Sequence, residues 1–349
     1  MNHLCLSYAA GLTALVALAQ GQVAPHSAFA KAKAVKQTWI APRSSDGHPD
    51  LQGFWANNNA TPLERPKELA GREFLTDDEV AALKKKAGEL FSGQGDAAFG
   101  DTLFETVLAN VKGTKSGFTS TDGETGDYGS VWNDQRDWTN RTSLITDPPD
   151  GRLPALTPEG RARREANAAA RRRPAAGPQD RGLQERCLTY GSPQLTAGYQ
   201  SYYQVVQTPT SVVIMTEMIH DARTIPLDGG PHLPSTVHQW FGDSRGHWEG
   251  DTLVVDTTNY KPGSFMSISS EKLHVIERFS RTDPEILNYE ITINDPGTWA
   301  KPWSLMIPLR RSAKPVYEYA CHEGNMGMVG ILAGARAEER AAAAGSQPK

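Results

Sequence analysis

Glu277 is the side chain in this sequence best placed to move a proton. Two runs of β-branched and aromatic residues, 273–279 and 287–295, alternate with period two. Leu273, Val275, Glu277 and Phe279 therefore share one strand face, and Leu287, Tyr289, Ile291 and Ile293 share a face of the next. A carboxylate on an apolar face has its charged form disfavoured by desolvation, which suits a general acid or base working near neutrality. Tyr289 is positioned to donate its hydroxyl across the strands to a developing oxyanion. A structural ion pair or a hydrogen-bonded core glutamate would look the same in sequence. Arg278 points to the opposite face, so a pairing cation would have to come from elsewhere, such as Arg223 or Arg310.

A second constellation spans residues 236–251, where His238, His247, Asp243, Glu249, Asp251, Arg245, Trp240 and Trp248 fall in a loop and hairpin. Functional side chains concentrate on such loops. His238 is the candidate to assist Glu277 or polarise a substrate, whereas His247 beside Trp248 suits a rim. Asp243 and Asp251 also fit plain turn capping around Gly246 and Gly250. His220, His232 and His238 share a window with Asp221 and Asp228, but the spacing matches neither His-Glu-x-x-His nor any cysteine-based zinc pattern, so no metal site is assigned. Ser244 lies in Gly-Asp-Ser-Arg-Gly, only a partial echo of a nucleophile elbow. The absence of a Gly-rich phosphate loop or dinucleotide fingerprint gives no reason to expect a nucleotide cofactor. Trp240, Phe241, Trp248, Tyr260, Phe265, Trp299 and Trp303 cluster around the hairpins. They suit either a core or a cavity mouth for a small apolar or aromatic molecule, with Trp240, Trp248, Trp303 and Arg223 as candidate substrate contacts.

The elements that must position these residues are mostly strands. Short β-branched and aromatic runs at 201–207, 211–218, 223–227, 246–249, 252–258, 272–281, 286–294, 303–310 and 316–321 are joined by tight turns without intervening helical periods. This pattern predicts a mainly β fold, an antiparallel calycin- or lipocalin-like barrel (or a sandwich) over 185–332. Residues 31–184 read as a helical and extended arm wrapping it. Phe54-Trp55 and Leu144-Ile145 are isolated apolar plugs with no core of their own. Thr76 and Glu79 form a capping box for a helix over 77–90, and 103–111 carries a short second helix. Thr157, Pro158 and Glu159 start another helix, rich in arginine from Arg161 to Arg173 and lacking large apolar residues. Such a helix is a solvated spacer or is held by partners, phosphate or a membrane surface among them. Segments 93–101 and 114–127 are turn-rich, and the tail 333–349 is predicted to be a frayed helix or disordered.

Residues 1–30 have the pattern of a signal peptide: an apolar run at 8–19 followed by small residues, too short for a membrane span. The n-region departs from that pattern in lacking Lys and Arg. Removing this segment leaves on the order of 320 residues, ample for a core. A formal charge of −4 lacks the basic excess of a nucleic-acid binder. Cys187 and Cys321 survive processing, and in an oxidising compartment such a pair favours a disulfide over a nucleophilic cysteine.

The string Gly242-Asp-Ser-Arg-Gly-His-Trp-Glu-Gly-Asp-Thr-Leu-Val-Val-Asp-Thr257, with Leu273-His-Val-Ile-Glu-Arg-Phe279 and the Asp295-Pro296 to Pro302-Trp303 segment, resembles a group of exported proteins of acidobacterial and sphingomonad type. The likeness extends to 61–66, 141–152 and 321–325, most of the mature chain. It implies export to the periplasm or beyond and one integrated architecture, and it brings no mechanism. The sequence-level expectation is therefore an exported, cofactor-independent lyase or isomerase in which Glu277 moves the proton, His238 assists and Tyr289 holds the oxyanion. The rivals are a binding protein using the same cavity without turnover, and an envelope scaffold.

Overall fold

A computed structural model describes residues 39–91, 100–115, 136–195, 197, 200–323 and 325–345. The signal-peptide segment and most of the two turn-rich stretches lie outside these residues. Ten strands form in the described chain: β1 Gly53–Ala56, β2 Ile145–Asp147, β3 Tyr202–Gln207, β4 Ser211–Thr216, β5 Ala222–Pro226, β6 Asp243–Glu249, β7 Thr252–Thr258, β8 His274–Asp283, β9 Ile286–Asn294 and β10 Trp303–Arg311. They join in the order β5-β4-β3-β1-β10-β9-β8-β7-β6, with β2 added to β10. Every ladder is antiparallel.

The sheet curls into a nearly closed barrel. At the seam, β5 and β6 approach through side chains, with no ladder between them among the described residues. Gly246 makes this approach possible. A Cβ there would lie 2.7 Å from Leu227 and 2.8 Å from Ile225, closer than carbon atoms tolerate. Period-two alternation fills the barrel with Tyr203, Ile214, Ile225, Leu253, Val255, Val275, Phe279, Leu287, Ile291 and Ile307, all buried.

Two departures from the sequence reading have physical causes. The N-terminal half does not simply wrap the barrel, because Phe54 and Trp55 lie in β1, hydrogen-bonded between β3 and β10, and Ile145 starts β2. The apolar plugs are short barrel strands whose core lies far along the chain. Residues 316–321 are not a strand; the segment is tied instead by Tyr317 N–H to Glu217 (3.1 Å) and by the Cys187–Cys321 disulfide. Of the two states open for the tail, residues 333–343 take the helical one, and 346–349 lie outside the described residues. Helix α4, Met326–Ala343, is N-capped by Asn325, and Arg336 bonds the carbonyls of Ala175 and Ala176.

Helices α1 Asp77–Leu90 and α2 Gly100–Val111 pack through a small core of Leu83, Phe104, Val107 and Leu108. The capping box forms as expected, with Thr76 accepting from Glu79 N–H and Glu79 accepting from Thr76 N–H. A bidentate bond from Arg72, with the Thr76 N–H, brings the Glu79 carboxyl down to about 2. Because the folded value lies below the unfolded one, this support is complete above about pH 4.5 and is lost as pH falls towards 2. Amide exchange at the start of α1 should therefore accelerate across that window, and Glu79→Gln should abolish the pH dependence. An unchanged profile in the variant would assign the effect to another group.

Candidate functional site

The alternation that places Glu277 inward on β8 is obeyed, and Glu277 has no exposure. Arg223, which with Ile225 faces inward on β5, reaches across the barrel to it. Its Nη1 and Nη2 donate to the two carboxylate oxygens at 2.5 and 2.7 Å. Tyr289, inward on β9, donates its hydroxyl to the same carboxylate at 2.5 Å. Ser244 lies 3.5 Å from Arg223 Nη1 and bonds Thr257 at 2.9 Å. Burial works against a charged guanidinium, yet the Glu277 carboxylate beside it raises Arg223 above the ordinary arginine value. Burial, with the same carboxylate, lifts the phenols of Tyr289, Tyr203 and Tyr260 above the usual tyrosine value. Tyr289 is therefore a hydrogen-bond donor here and not a phenolate.

Arg223 and Tyr289 also line a narrow pocket between the barrel wall and the segment 191–194. Tyr203, Ile214, Phe241 and Phe279 supply the walls, with Ser192, Gln194, Thr216 and Asp221 as further polar groups. The pocket leaves about 20 Å³ for the centres of water-sized groups, room for about one of them. Tyr203 donates its hydroxyl to the Gln194 carbonyl at 3.1 Å, which fixes the segment over the barrel. Asp221 is occupied by Thr189 and the Tyr190 N–H, at 2.8 and 3.0 Å, and burial raises its carboxyl despite those bonds. The Gln194 side chain differs from all of these. The residue is 4 % exposed, and both its Oε1 and its Nε2 are buried without a hydrogen-bond partner. A buried amide left so costs about 1–3 kcal/mol for each unmade bond, and such groups call for an explanation.

Compared with known proteins, the chain matches no family model, no curated protein and no solved structure. The geometry of the site carries the functional reading.

The structure brings Glu277, Tyr289 and Arg223 together and leaves the other candidates elsewhere. His238 forms no hydrogen bond to Glu277 or Tyr289; the neighbouring Gln239 N–H bonds the Asn259 carbonyl, beside the end of β7. Trp240 sits under Lys261, whose Nζ is 4.5 Å from the ring centroid. Trp248 stacks on His48 at 4.6 Å. Trp303 is core, packed with Trp299 and Phe265. Of the proposed substrate contacts, only Arg223 lines the pocket, and Phe241 does so rather than its neighbour Trp240.

Asp243 and Asp251 do more than cap turns. Asp251 binds Arg43 bidentately at 2.6 and 2.9 Å. Asp243 anchors the loop before β6, accepting from Leu233 N–H at 2.9 Å and meeting His232 Nδ1 at 2.8 Å. The other His232 nitrogen lies 3.1 Å from Asp256, which also meets His274 at 2.9 Å. Burial opposes the Asp256 charge, but His274 and His232 hold its carboxyl below the usual range. Among the described residues no group of three or more His, Cys, Asp or Glu is arranged to hold a metal ion.

Gln194 and Tyr203 were missed in sequence for different reasons. Tyr203 shares the inward period of Val205 and could have been found that way. Gln194, in an irregular segment beside Pro193, carries no periodic signal.

Proposed function

We propose that the barrel is a binding module for a small organic molecule whose carboxyl or amide head group enters the pocket beside Gln194 and Arg223. The observation that carries this reading is the buried, unpartnered Gln194 amide. It presents a donor and an acceptor side by side, the complement of a carboxylic acid or a primary amide. Arg223, held in place by Glu277, adds donors for the ligand oxygen. Phe241, Phe279 and Ile214 supply the apolar wall beside that head group.

The acid–base reading, a lyase or isomerase driven by Glu277, is less favoured by this geometry. A base must reach the proton that it removes. Both oxygens of Glu277 are taken by Arg223 and Tyr289, and the carboxylate is sealed from the surface. Binding outside the cytoplasm, in the periplasm or after secretion, is part of the proposal. The signal-like N-terminus supports it, as does the disulfide, a bond that persists in oxidising compartments. No described helix is long and apolar enough to cross a membrane.

The test is a thermal-shift and calorimetric panel of small carboxylic acids and amides against the wild type and Gln194→Leu. Leucine removes both orphan polar atoms at similar size. The variant should therefore unfold at equal or higher denaturant, by about 1 kcal/mol, while losing ligand affinity by about tenfold or more. A variant that binds the panel as the wild type does, or a wild type that binds no member, would defeat the proposal.

A further inference from the structure

The arginine-rich helix α3, Pro158–Arg171, is docked on one side only. Gly160 lies so close to the turn after β9 that a Cβ would sit 2.5 Å from the Thr298 carbonyl oxygen. Arg163 plugs into the same turn, donating to the carbonyls of Ile268 and Gly297 and to the Thr298 hydroxyl at 3.0, 2.6 and 2.7 Å. Asn167 bonds the Ser267 carbonyl at 2.7 Å. These contacts hold the helix rigidly beside a groove of about 1090 Å³. Arg161, Arg164 and Arg171 line it together with the apolar Leu156, Ile268 and Trp299.

The three arginines fall on one stripe of the helix, at i, i+3 and i+10, spread over about 15 Å. None of the three forms a salt bridge among the described residues, and the single carboxylate on the lining, Glu64, is engaged by Arg152 and the Leu153 N–H. Arg161 spends one nitrogen on the Leu156 carbonyl at 2.6 Å, which braces it along the wall. Met266, 40 % exposed, extends the apolar side. Three guanidiniums free of salt bridges, of which Arg171 lies within the field of Glu185, beside apolar side chains are the complement of an elongated anion with an apolar flank.

We infer that this groove binds an extended acidic segment of a partner protein, acidic side chains towards α3 and apolar side chains towards Leu156, Ile268 and Met266. At about 3.3 Å per residue, some five extended residues span the arginine row, and alternation separates the acidic from the apolar side chains of such a segment. Apolar side chains lying beside the arginines within a concave groove favour a peptide over a planar lipid surface. The site is independent of the barrel pocket.

Fluorescence anisotropy of a labelled peptide of alternating Glu and Leu, titrated with the full chain, tests the inference. The peptide should bind with an affinity that falls steeply with salt, and its Gln-for-Glu counterpart should not bind. Arg164→Gln with Arg171→Gln should weaken binding about tenfold or more, whereas Arg340→Gln on α4 should leave it unchanged. Equal binding of the neutral peptide, no binding of the acidic one, or indifference to the groove variants would overturn the inference. So would arginine-dependent capture of phosphatidylglycerol vesicles in place of the peptide.

Discussion

Glu277→Leu is expected to destabilise the protein by about 3–5 kcal/mol, the cost of leaving one partner of a buried ion pair uncompensated. Arg223 has a side chain only 10 % exposed and sits opposite a carboxylate with no exposure. In the variant its guanidinium has lost two charge-assisted bonds and has no second carboxylate partner, and the Tyr289 hydroxyl is orphaned with it. Arg223→Met should cost a similar amount by stranding Glu277. The double variant Arg223→Met/Glu277→Leu should recover most of the loss, because replacing both charges by packed apolar groups removes the desolvation penalty of each. Urea unfolding of the four proteins closes the cycle. If the double variant is as unstable as the sum of the singles, the pair is not the coupled unit described here. Ligand binding separates the roles further: the stable double variant should bind the panel more weakly, since Arg223 lines the pocket.

Replacing Cys187 and Cys321 by serine is expected to cost about 2–5 kcal/mol. The bond joins residues 134 apart, so it closes a loop holding β3 to β10. In the chain-entropy view, a loop of this length removes about 5 kcal/mol of freedom from the unfolded chain, less any entropy the native segments regain. The native side is local. Residues 313–323 have little regular structure, and the bond fixes them beside the segment that Asn325 grips through the Glu185 carbonyl at 3.1 Å. Denaturation midpoints under oxidising and reducing conditions give the magnitude. Exchange of α4 amides should rise before global unfolding in the reduced protein, and coincident loss would place α4 in the main cooperative unit.

Sequence periodicity located much of this molecule because inward and outward residues alternate wherever one face of a strand is buried. It placed β7 and β9 at their observed bounds and turned Glu277 and Tyr289 inward. It also allowed for Arg223 as the ion-pair partner, and the capping box fixed α1. It underread β1 and β2, which are too short to show a period and are defined by strands more than a hundred residues away. It misplaced His238 because nearness in sequence to the hairpins says nothing about which side of the wall a loop crosses. It overlooked Gln194 because the meaning of that amide lies in partners that it lacks, a property of the folded environment alone.

The most direct test of the account is the side-chain amide signal of Gln194 in a nitrogen–proton correlation spectrum, assigned by its disappearance in Gln194→Leu. Small carboxylic acids or amides should shift this signal saturably, together with the Arg223 guanidinium resonance, while side-chain amides remote from the pocket stay fixed. A Gln194 signal that responds to no member of the panel, in a protein whose spectrum is otherwise that of the intact fold, would contradict it.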